Sequence, residues 1–382
     1  MIIQRTIQDQ ILERLRSSNT PNRVIIVYGA RQVGKTTLIK EIIKRFDGRS
    51  EYFNCDYLDI QSVFSYENAG NLKSVIKDYE LIVLDEAQRI TNIGLVLKIL
   101  HDEFPELKVL ATGSSSFELS NRVNEPLTGR KVVYHLHPFT IKELMPSSSI
   151  IDIKRELNRI LILGTYPSVI LNDNGEGTSH LKEITSSYLF KDVLSYQNIK
   201  RPDVLTDLLK LLAFQISNEV SFTELSGILK VDQTVVQRYI QLLEDSFIVF
   251  RLPALKRNLR NEVGKTRKIY FWDIGVRNML IQNLNTLDFR NDHGALWENF
   301  CISERMKHLK KDPLNMIQPY FWRTYSQKEV DYIEDNQGKI NAYEFKWSEK
   351  KKVKIPRDFT NAYKNSAFEI ITPDNFYNVL YG

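Results

Sequence analysis

The sequence predicts an α/β protein that begins with a parallel sheet covered by helices and continues into further domains. Three observations support this fold class. Short apolar runs alternate with helical patterns from residue 23 to about residue 135. A glycine-containing loop joins the first of these runs to a helical pattern, and three helical patterns followed by an apolar run lie between residues 204 and 252. A chain of 382 residues is too long for one compact core, so we expect two or three domains.

The parallel sheet is predicted from four apolar runs of strand length: "RVIIVYG", "SEYFNCD", "YELIVLD" and "LKVLATG". Parallel strands need long crossover connections, and helical patterns stand between these runs. We assign this first domain to residues 1–145, and "MIIQRTIQDQILERL" predicts an amphipathic helix at its start.

Three segments are predicted after the first domain. "MPSSSIID" (145–152) is polar, contains proline and is predicted to be a linker. A helical connector is expected at 151–203, a winged helix-turn-helix at 204–268 and a second, smaller α/β domain at 269–382.

Composition indicates a soluble globular protein. No leader of basic, apolar and small residues opens the chain, and no apolar run approaches the roughly 18 residues that span a bilayer. We therefore expect a cytoplasmic protein with no membrane partner. Cys55 and Cys301 are far apart among apolar or aromatic neighbours, so buried free thiols are expected.

Positive charge is concentrated in the last third of the chain. Residues 1–250 carry 29 Lys and Arg against 31 Asp and Glu, whereas residues 251–382 carry 23 against 16. This distribution fits a surface that binds a polyanion, and it equally fits an ordinary solvated basic surface.

The winged-helix prediction rests on the order helix, helix, helix, strand. "SFTELSGIL" begins with a capping-box pattern in which Ser221 precedes Glu224 by three residues. "DQTVVQRYIQLLED" has one apolar face, and "FIVFRL" then indicates a strand. The members of that apolar face are Val236, Tyr239, Ile240 and Leu243.

DNA is the partner that this segment suggests. The polar face of the third helix carries side chains that suit groove edges and phosphates: Gln233, Thr234, Gln237, Arg238 and Gln241. "KRNLRNEVGKTRK" (256–268) follows, with six basic residues and one acid. This composition is typical of a wing or loop that lies over a nucleic-acid backbone. Winged helices also serve as protein-interaction modules, and this alternative stays open.

"GARQVGKT" (29–36) matches the phosphate-loop pattern G-x-x-x-x-G-K-[ST] between an apolar strand and a helix. Its backbone amides are expected to surround the phosphates of ATP, with Lys35 reaching the β- and γ-phosphates and Thr36 binding Mg²⁺. The predicted nucleotide-binding residues are Gly29, Ala30, Arg31, Gln32, Val33, Gly34, Lys35, Thr36 and Thr37.

"LIVLDEAQ" ends a second apolar strand with two acids. Asp85 is expected to hold the Mg²⁺ shell, and Glu86 to polarise the attacking water. Ser114, at the end of "KVLATGS", is a candidate sensor of the γ-phosphate. Arg130 is a candidate finger onto a neighbouring subunit's nucleotide, with Arg122 as its rival, and each arginine could instead form a structural ion pair.

These motifs, followed by "ATGSSS", "LTGR" and "HPFTIKEL", resemble a family of prokaryotic AAA-type ATPases with a C-terminal domain of unknown function. The later "GTYPSVI", "IYFWDIG" and "GALWENF" are also similar to that family. The resemblance implies an AAA-type core that uses ATP and Mg²⁺ and forms a homo-oligomer. It does not supply a substrate.

A hairpin is predicted in "EVDYIEDNQGKINAYEFKW" (329–347). With a turn centred on Asn336 and Gln337, Asp331 faces Ala342 and lies diagonal to Glu344. Alternation puts Glu344 and Lys346 on the face of Asp331. The other face is expected to be apolar, with Tyr343, Phe345 and Trp347. The same register places Glu329 opposite Glu344.

The pattern D…E-x-K on adjacent strands, after a helix that bears a glutamate, resembles the PD-(D/E)XK nuclease core, although Val330 replaces the proline. The resemblance implies a small restriction-endonuclease-like domain in which Asp331, Glu344 and the helical Glu298 ligate a metal and Lys346 orients the attacking water. "EKKKVK" (349–354) adds basic charge beside it. A charged surface hairpin and a nuclease-like fold that binds without cleaving remain alternatives.

The sequence therefore predicts an Mg²⁺-dependent AAA-type ATPase that binds or processes DNA through its C-terminal modules. The alternative is an ATP-gated regulatory or docking protein whose nuclease-like domain is inactive.

Overall fold

A computed structural model describes residues 2–17, 23–65, 72–76, 78–114, 127–146, 149–172, 175–188, 199, 201–255, 267–324, 327–348 and 355–381. The chain forms two compact units. The first comprises Met1–Phe139 with Asp245–Phe247 and Lys310–Pro313, and the second comprises the rest. Residues 204–268 and 269–382 thus fall, apart from those two short segments, within one unit.

The first unit contains a parallel sheet in the order β2-β3-β4-β1-β5. Its strands are β1 (Val24–Tyr28), β2 (Ser50–Asn54), β3 (Leu81–Asp85), β4 (Lys108–Gly113) and β5 (Lys131–His135). The parallel sheet and its four predicted strands are confirmed. The fifth strand was missed because its apolar residues alternate with half-exposed ones instead of forming a continuous run.

The helices of the first unit either precede β1 or lie between successive strands as crossovers. They are α1 (Thr6–Arg16), α2 (Lys35–Arg45), α3 (Leu58–Val63), α4 (Leu72–Ile76) and α5 (Ile93–Glu103), with a short 3₁₀ turn at Ala87–Arg89. Helix α1 is amphipathic as predicted, since Ile7, Ile11 and Leu15 are buried at helical spacing.

The core of the first unit is centred on β1 and β3, in which every residue is buried. A parallel strand with helices on both faces is expected to be apolar throughout. Each fully buried Val, Leu or Ile contributes about 1.5–3 kcal/mol relative to exposure. The sheet therefore gives rigid support to the polar residues that follow the strands.

The second unit begins with helices. They are α6 (Ile141–Leu144), α7 (Ile150–Leu163), α8 (Pro167–Ile170), α9 (Gly177–Glu183), which continues as a π turn at Ile184–Tyr188, α10 (Pro202–Phe214), α11 (Phe222–Leu229) and α12 (Gln233–Asp245). A capping box formed by Ser149 and Asp152 starts α7 within the segment predicted to be a linker.

An antiparallel ribbon of β6 (Val249–Pro253) and β7 (Arg267–Phe271) follows α12, so three helices precede two strands. The predicted apolar face of α12 is buried. The Ser221 hydroxyl accepts a hydrogen bond from the Glu224 amide at 3.3 Å, which is one half of the predicted capping box.

The last part of the second unit is a four-stranded sheet in the order β11-β10-β9-β8. Its strands are β8 (Gln318–Arg323), β9 (Glu329–Asn336), β10 (Lys339–Phe345) and β11 (Ala367–Ile371). The accompanying helices are α13 (Ile274–Leu280), α14 (His293–Lys310), α15 (Arg357–Ala362) and α16 (Phe376–Tyr381), with a 3₁₀ turn at Leu287–Phe289.

The turn between β9 and β10 differs from the predicted one. It is centred on Gln337 and Gly338, which have φ angles of 53° and 93°. Two positive φ angles match the twist of a two-residue hairpin turn, and glycine adopts them without strain. The turn predicted at Asn336 and Gln337 ignored this preference.

The hairpin register is corrected accordingly. Ala342 faces Ile333, not Asp331, and Tyr343 faces Tyr332. Continuing this register by one residue sets Glu344 level with Asp331. The observed partner of each residue differs from the predicted one by two positions, so each side chain stays on its predicted face of the sheet.

Two further hairpin predictions were wrong. Glu329 does not face Glu344, because the observed β9–β10 register sets Glu344 level with Asp331. The aromatic face is also not purely apolar, since Glu334 is buried there and accepts a hydrogen bond of 2.9 Å from Arg305. An ion pair makes that buried carboxylate tolerable.

The end of α7 lies against the side chain of Asp273, which precedes α13. A Cβ atom on Gly164, which has a φ of +77°, would lie 2.0 Å from Asp273 Oδ1. The Asp273 carboxylate accepts hydrogen bonds from the Thr165 amide at 2.7 Å and the Val276 amide at 3.1 Å. The "GTYPSVI" and "IYFWDIG" motifs therefore meet at a structural junction of the second unit.

Buried charges stabilise the neighbourhood of α13. Arg277 donates to the Ala213 carbonyl at 2.7 Å and to Asp292 Oδ2 at 2.6 Å. Arg290 donates to both oxygens of Asp292, at 2.9 and 2.8 Å. Burial opposes ionisation of Asp292, but these arginines outweigh it and lower the pKa of the carboxyl to about 2.

Asn299, on α14, bonds to the backbone of β7 like a strand neighbour. Its amide oxygen accepts from the Phe271 amide, and its amide nitrogen donates to the Phe271 carbonyl, both at 2.9 Å. At the start of β7, Val220 donates to the Arg267 carbonyl and Glu219 forms a bridge with Lys268. The edge of β7 opposite β6 is thus occupied at both ends.

Cys55 and Cys301 are buried free thiols, as predicted. Within the described ranges, no helix combines the length and the apolar character needed to cross a membrane.

Candidate functional site

The phosphate loop lies between β1 and α2, as the sequence predicts. Lys35, the first residue of α2, is buried and donates to the carbonyls of Gly29 at 2.9 Å and Ala30 at 3.0 Å. The ammonium group is therefore held inside the loop that would surround the phosphates. An arginine from the N-terminal segment supports the same loop, because Arg5 donates to the Val33 carbonyl at 2.9 Å.

Thr36 and Asp85 meet at the ends of α2 and β3. The Thr36 hydroxyl donates to Asp85 Oδ2 at 2.8 Å, and the Tyr52 hydroxyl donates to the same oxygen at 2.8 Å. Thr112, on β4, donates to the other oxygen, Oδ1. Hydroxyl and carboxylate oxygens are the donors that Mg²⁺ prefers, so Thr36 and Asp85 fit the predicted metal.

Glu86 is held by its own strand neighbours. Its backbone adopts a left-handed conformation with φ of 56°, and its amide donates to Thr112 Oγ1 at 3.1 Å. Gln88 donates to Glu86 Oε2 at 2.6 Å and to Ser114 Oγ at 3.1 Å. The predicted base and the predicted sensor are therefore connected through one buried amide.

Four residues of this site were missed: Arg5, Tyr52, Gln88 and Thr112. Gln88 lies two residues after Glu86 in "LDEAQ", and Thr112 lies in "VLATGS" at a strand end, so both carried a local signal. Tyr52 and Arg5 reach the site only through the strand order and the path of the N-terminal segment, which the sequence pattern does not reveal.

The arginine candidates have different outcomes. Arg130 donates from Nε to Asp102 Oδ1 at 2.8 Å, and its side chain is 37% exposed. This contact is the structural ion pair that was the alternative to a finger. Arg122 lies outside the described residues, and the finger assignment stays a prediction.

The polar face of α12 is exposed at all five predicted positions. Gln241 is also hydrogen-bonded to Arg251 of β6. Most of the basic segment predicted as a wing (256–266) and all of "EKKKVK" (349–354) lie outside the described residues. Of the predicted nucleic-acid contacts, the described residues therefore include mainly those of α12.

The residues of the predicted nuclease-like site come from α14, β9 and β10. Asp331 lies in a bulge of β9, because Asp331 and Tyr332 both fall between the pairs Tyr320–Ile333 and Trp322–Val330. Bulges re-aim side chains. Asp331 Oδ2 accepts a hydrogen bond of 2.9 Å from the Phe345 amide.

Lys346 connects the two strand acids. Its Nζ lies 2.6 Å from Glu344 Oε1 and 3.7 Å from Asp331 Oδ2. The structure thus brings Asp331, Glu344 and Lys346 together on the side of the hairpin that the sequence assigned to them.

Glu298 is paired with residues that the sequence reasoning did not include. Glu298 Oε1 accepts from the Tyr270 hydroxyl at 2.6 Å and from Lys268 Nζ at 3.0 Å. Lys268 Nζ is also paired with Glu329 Oε1. Lys268 and Tyr270 alternate along β7, which was the available signal that they share a face.

The acids of this cluster influence one another. Burial, opposed by Lys268 and reinforced by Asp331, raises the pKa of Glu298 to about 7. Burial also raises the pKa of Asp331 and of Glu344, and the Asp331 charge adds to the rise at Glu344. We call Lys268, Glu298, Glu329, Asp331, Glu344 and Lys346 the carboxylate cluster.

The arrangement of the carboxylate cluster does not match a formed metal site. In the part of the chain that the structure describes, no three His, Cys, Asp or Glu side chains are grouped as metal ligands. Lysine ammonium groups instead stand between the acids. The ligand set of Glu298, Asp331 and Glu344 stays a prediction from the sequence resemblance.

Comparison with known protein families divides the chain into three matched parts. Residues 21–145 match an AAA domain family. Residues 154–287 and 293–377 match two domains of unknown function, DUF8612 and DUF4143.

Relatives from bacteria and archaea are similar along most of the chain. An uncharacterized protein of Mycobacterium tuberculosis is 27% identical over 338 residues, covering 87% of this chain and 72% of the relative. An uncharacterized protein of Methanocaldococcus jannaschii is 25% identical over 336 residues, covering 82% and 72%. Among solved structures, the RuvB Holliday junction branch migration motor of Thermotoga maritima aligns with a TM-score of 0.32 and 16% identity, over 66% of this chain and 90% of that one.

Proposed function

We propose that this chain, whose residues 21–145 form an AAA-type P-loop ATPase domain, hydrolyses ATP with Mg²⁺ and acts on DNA through its second unit. The observation that carries the ATPase proposal is the joint placement of Lys35, Thr36, Asp85 and Glu86 around the end of β3 and the start of α2.

In the proposed reaction, Lys35 leaves the loop carbonyls and pairs with the β- and γ-phosphate oxygens of ATP. Thr36 and Asp85 would hold Mg²⁺, which would offset the negative charge of the phosphates. Glu86 accepts a proton from the water that attacks the γ-phosphorus, while the bond from that phosphorus to the β–γ bridging oxygen breaks and ADP leaves with the electron pair. Gln88 holds the Glu86 carboxylate in position and also donates to Ser114, which senses the γ-phosphate.

Glu86→Gln tests this mechanism. The substitution removes the base but keeps the size of the side chain, so we expect kcat to fall by about 10²–10⁴-fold. The dissociation constant for ATP should change little. A variant that hydrolyses ATP at the wild-type rate would show that Glu86 is not the base.

DNA is proposed as the partner of the second unit because of two observations. The exposed face of α12 carries amide, hydroxyl and guanidinium groups that can bond to base edges and phosphates. The chain from residue 251 onward has 23 Lys and Arg against 16 Asp and Glu. The proposed modules are a winged helix-turn-helix followed by a nuclease-like domain.

Metal-dependent cleavage of DNA is the second candidate function, favoured by the meeting of Asp331, Glu344 and Lys346. In that case Glu298, Asp331 and Glu344 hold Mg²⁺ or Mn²⁺, and Lys346 orients the attacking water. Cleavage should then disappear in Lys346→Ala. Undiminished cleavage by Lys346→Ala would place the activity elsewhere, and no cleavage by the wild type would favour a binding or docking role.

We also propose that the chain works as a homo-oligomer in which Arg130 or Arg122 reaches a neighbouring nucleotide. Sedimentation with ATP measures the assembly. If Arg130→Ala hydrolyses ATP normally while assembled, Arg130 is not the finger.

A further inference from the structure

Lys268 is a buried cation inside the carboxylate cluster. Its side chain is 1% exposed, and its Nζ is paired with Glu298 and Glu329. A buried ammonium group is very costly unless it is paired and hydrogen-bonded. These two carboxylates therefore hold Lys268 in place, and the lysine in turn keeps them from repelling each other.

The backbone fixes Lys268 as firmly as its charge does. Lys268 is the second residue of β7, where it faces Leu252 of β6, and it forms a bridge to Glu219 on its other side. Its Nζ also lies 5.5 Å from the centre of the Phe321 ring. The ammonium group is thus delivered to the acids by a rigid element and not by a mobile loop.

Every acid of the cluster has a cationic partner within it, and four carboxylates share two lysines. Glu298 and Glu329 are paired with Lys268, while Asp331 and Glu344 are paired with Lys346. Arg323 lies 3.5 Å from Glu329 as well.

A divalent cation would have to compete with this arrangement. Mg²⁺ and Mn²⁺ are bound in proteins by carboxylate oxygens whose charge is available to the metal. Here Glu298 Oε1 already accepts two hydrogen bonds, from Tyr270 and Lys268. A positive ion placed beside Lys268 would also be repelled by it, strongly so in a buried site.

We infer that the Lys268 ammonium is a resident counter-ion that takes the place of a divalent metal in the carboxylate cluster, so that the second unit does not cleave DNA. The inference rests on the proposed nuclease-like arrangement. Of the two candidate roles of that domain, DNA cleavage and DNA binding without cleavage, it selects the second. The fold would then contact a phosphate backbone without activating water against it.

Mn²⁺ binding to the nucleotide-free full chain tests the inference, with free Mn²⁺ followed by electron paramagnetic resonance. Wild type and Asp331→Asn should bind the same amount of Mn²⁺. Lys268→Met should gain a site that binds Mn²⁺ at least about tenfold more tightly than wild type, the low end of the effect of a group beside metal ligands. Adding Glu298→Gln to Lys268→Met should abolish the gain.

Two results would overturn the inference: Mn²⁺ binding by wild type that Asp331→Asn removes, or a folded Lys268→Met that gains no Mn²⁺. Lys268→Met leaves carboxylates unpaired, so its fold is checked by circular dichroism. If it does not fold, Lys268→Arg keeps the cation and should, like wild type, show no Asp331-dependent Mn²⁺ binding. Such binding in either protein is contrary to the inference.

DNA binding is measured separately, by fluorescence anisotropy in EDTA. Failure to bind DNA would count against the proposed function, whereas Mn²⁺ uptake at the cluster would count against the counter-ion role. The two failures are therefore distinguishable.

Discussion

The Thr36 hydroxyl donates a hydrogen bond of 2.8 Å to Asp85 Oδ2, which connects the first turn of α2 to the end of β3. These residues are 49 positions apart in the sequence, yet the parallel sheet brings the end of β3 close to the phosphate loop after β1. Both oxygens of Asp85 are engaged, by Thr36 and Tyr52 on one side and by Thr112 on the other. The two residues proposed to bind Mg²⁺ are thus held together by a hydrogen bond of the protein itself.

Lys35→Ala should weaken ATP binding by about 10–100-fold, because a hydrogen bond to a charged group contributes about 1.5–3 kcal/mol. A fluorescent ATP analogue measures the change. Lys44→Ala, on the exposed part of the same helix, is the matched control and should bind as wild type does. Equal affinity of Lys35→Ala and wild type would refute the phosphate-loop assignment.

Gln88→Leu should lower kcat by about 2–10-fold while leaving the affinity for ATP unchanged, because it removes hydrogen bonds worth about 0.5–1.5 kcal/mol each from Glu86 and Ser114. Leucine keeps the volume of the buried side chain. Steady-state hydrolysis and a separate ATP titration distinguish the two effects. A rise in kcat would mean that Gln88 restrains Glu86 instead of positioning it.

If the Arg238 guanidinium contacts a phosphate, Arg238→Ala should weaken DNA binding by a similar factor for every DNA sequence. A plot of log affinity against log salt concentration should then be less steep by about one unit. Anisotropy titrations at several salt concentrations give the slope. Lys210→Ala, also exposed but on α10, should retain the wild-type slope. Identical curves for both variants would remove α12 from the proposed interface.

Gly164→Ala should destabilise the second unit by about 2–6 kcal/mol, since a φ of 77° with a ψ of −163° costs other residues about 1–3 kcal/mol and overpacking costs about 1–3 kcal/mol. Thermal unfolding followed by circular dichroism measures the loss. Gly175→Ala separates the two contributions, because Gly175 has nearly the same φ of +78° but open space at its Cβ position. If both variants unfold at the same temperature, the contact with Asp273 is not tight.

The low pKa of Asp292 predicts that the free energy of unfolding depends on pH. Its pKa is lower in the folded chain than in the unfolded chain, so its contribution is present above about pH 4 and is lost as the pH falls through about 2. Asp292→Asn should therefore be destabilised near neutral pH, by about 1.5–3 kcal/mol per charged hydrogen bond lost. The gap to wild type should narrow between pH 4 and pH 2 in denaturant titrations. A gap that stays constant with pH would exclude the ionised pair.

The sequence was informative wherever the chemistry is local. The phosphate loop and the acids at the end of β3 are contiguous motifs, so Lys35, Thr36, Asp85 and Glu86 were predicted from them. The structure places Thr36 beside Asp85. Tyr52 and Lys268 were missed because their partners come from distant strands, and no spacing rule connects them. The hairpin turn was predicted one residue too early. A turn at residues 336 and 337 and a turn at residues 337 and 338 place the same side chains on each face of the sheet, so the apolar pattern alone does not distinguish them.

The occupied edge of β7 limits how a partner can bind. A bare strand edge is a template for another chain, either in strand addition or in aggregation. Because Asn299 pairs with Phe271, and residues 219 and 220 pair with the start of the strand, a visiting peptide finds no open row of amides and carbonyls there. Any partner at this ribbon would then have to bind through side chains. Replacing Asn299 by leucine would leave the buried amide and carbonyl of Phe271 without these hydrogen bonds, at a cost of about 1–3 kcal/mol each.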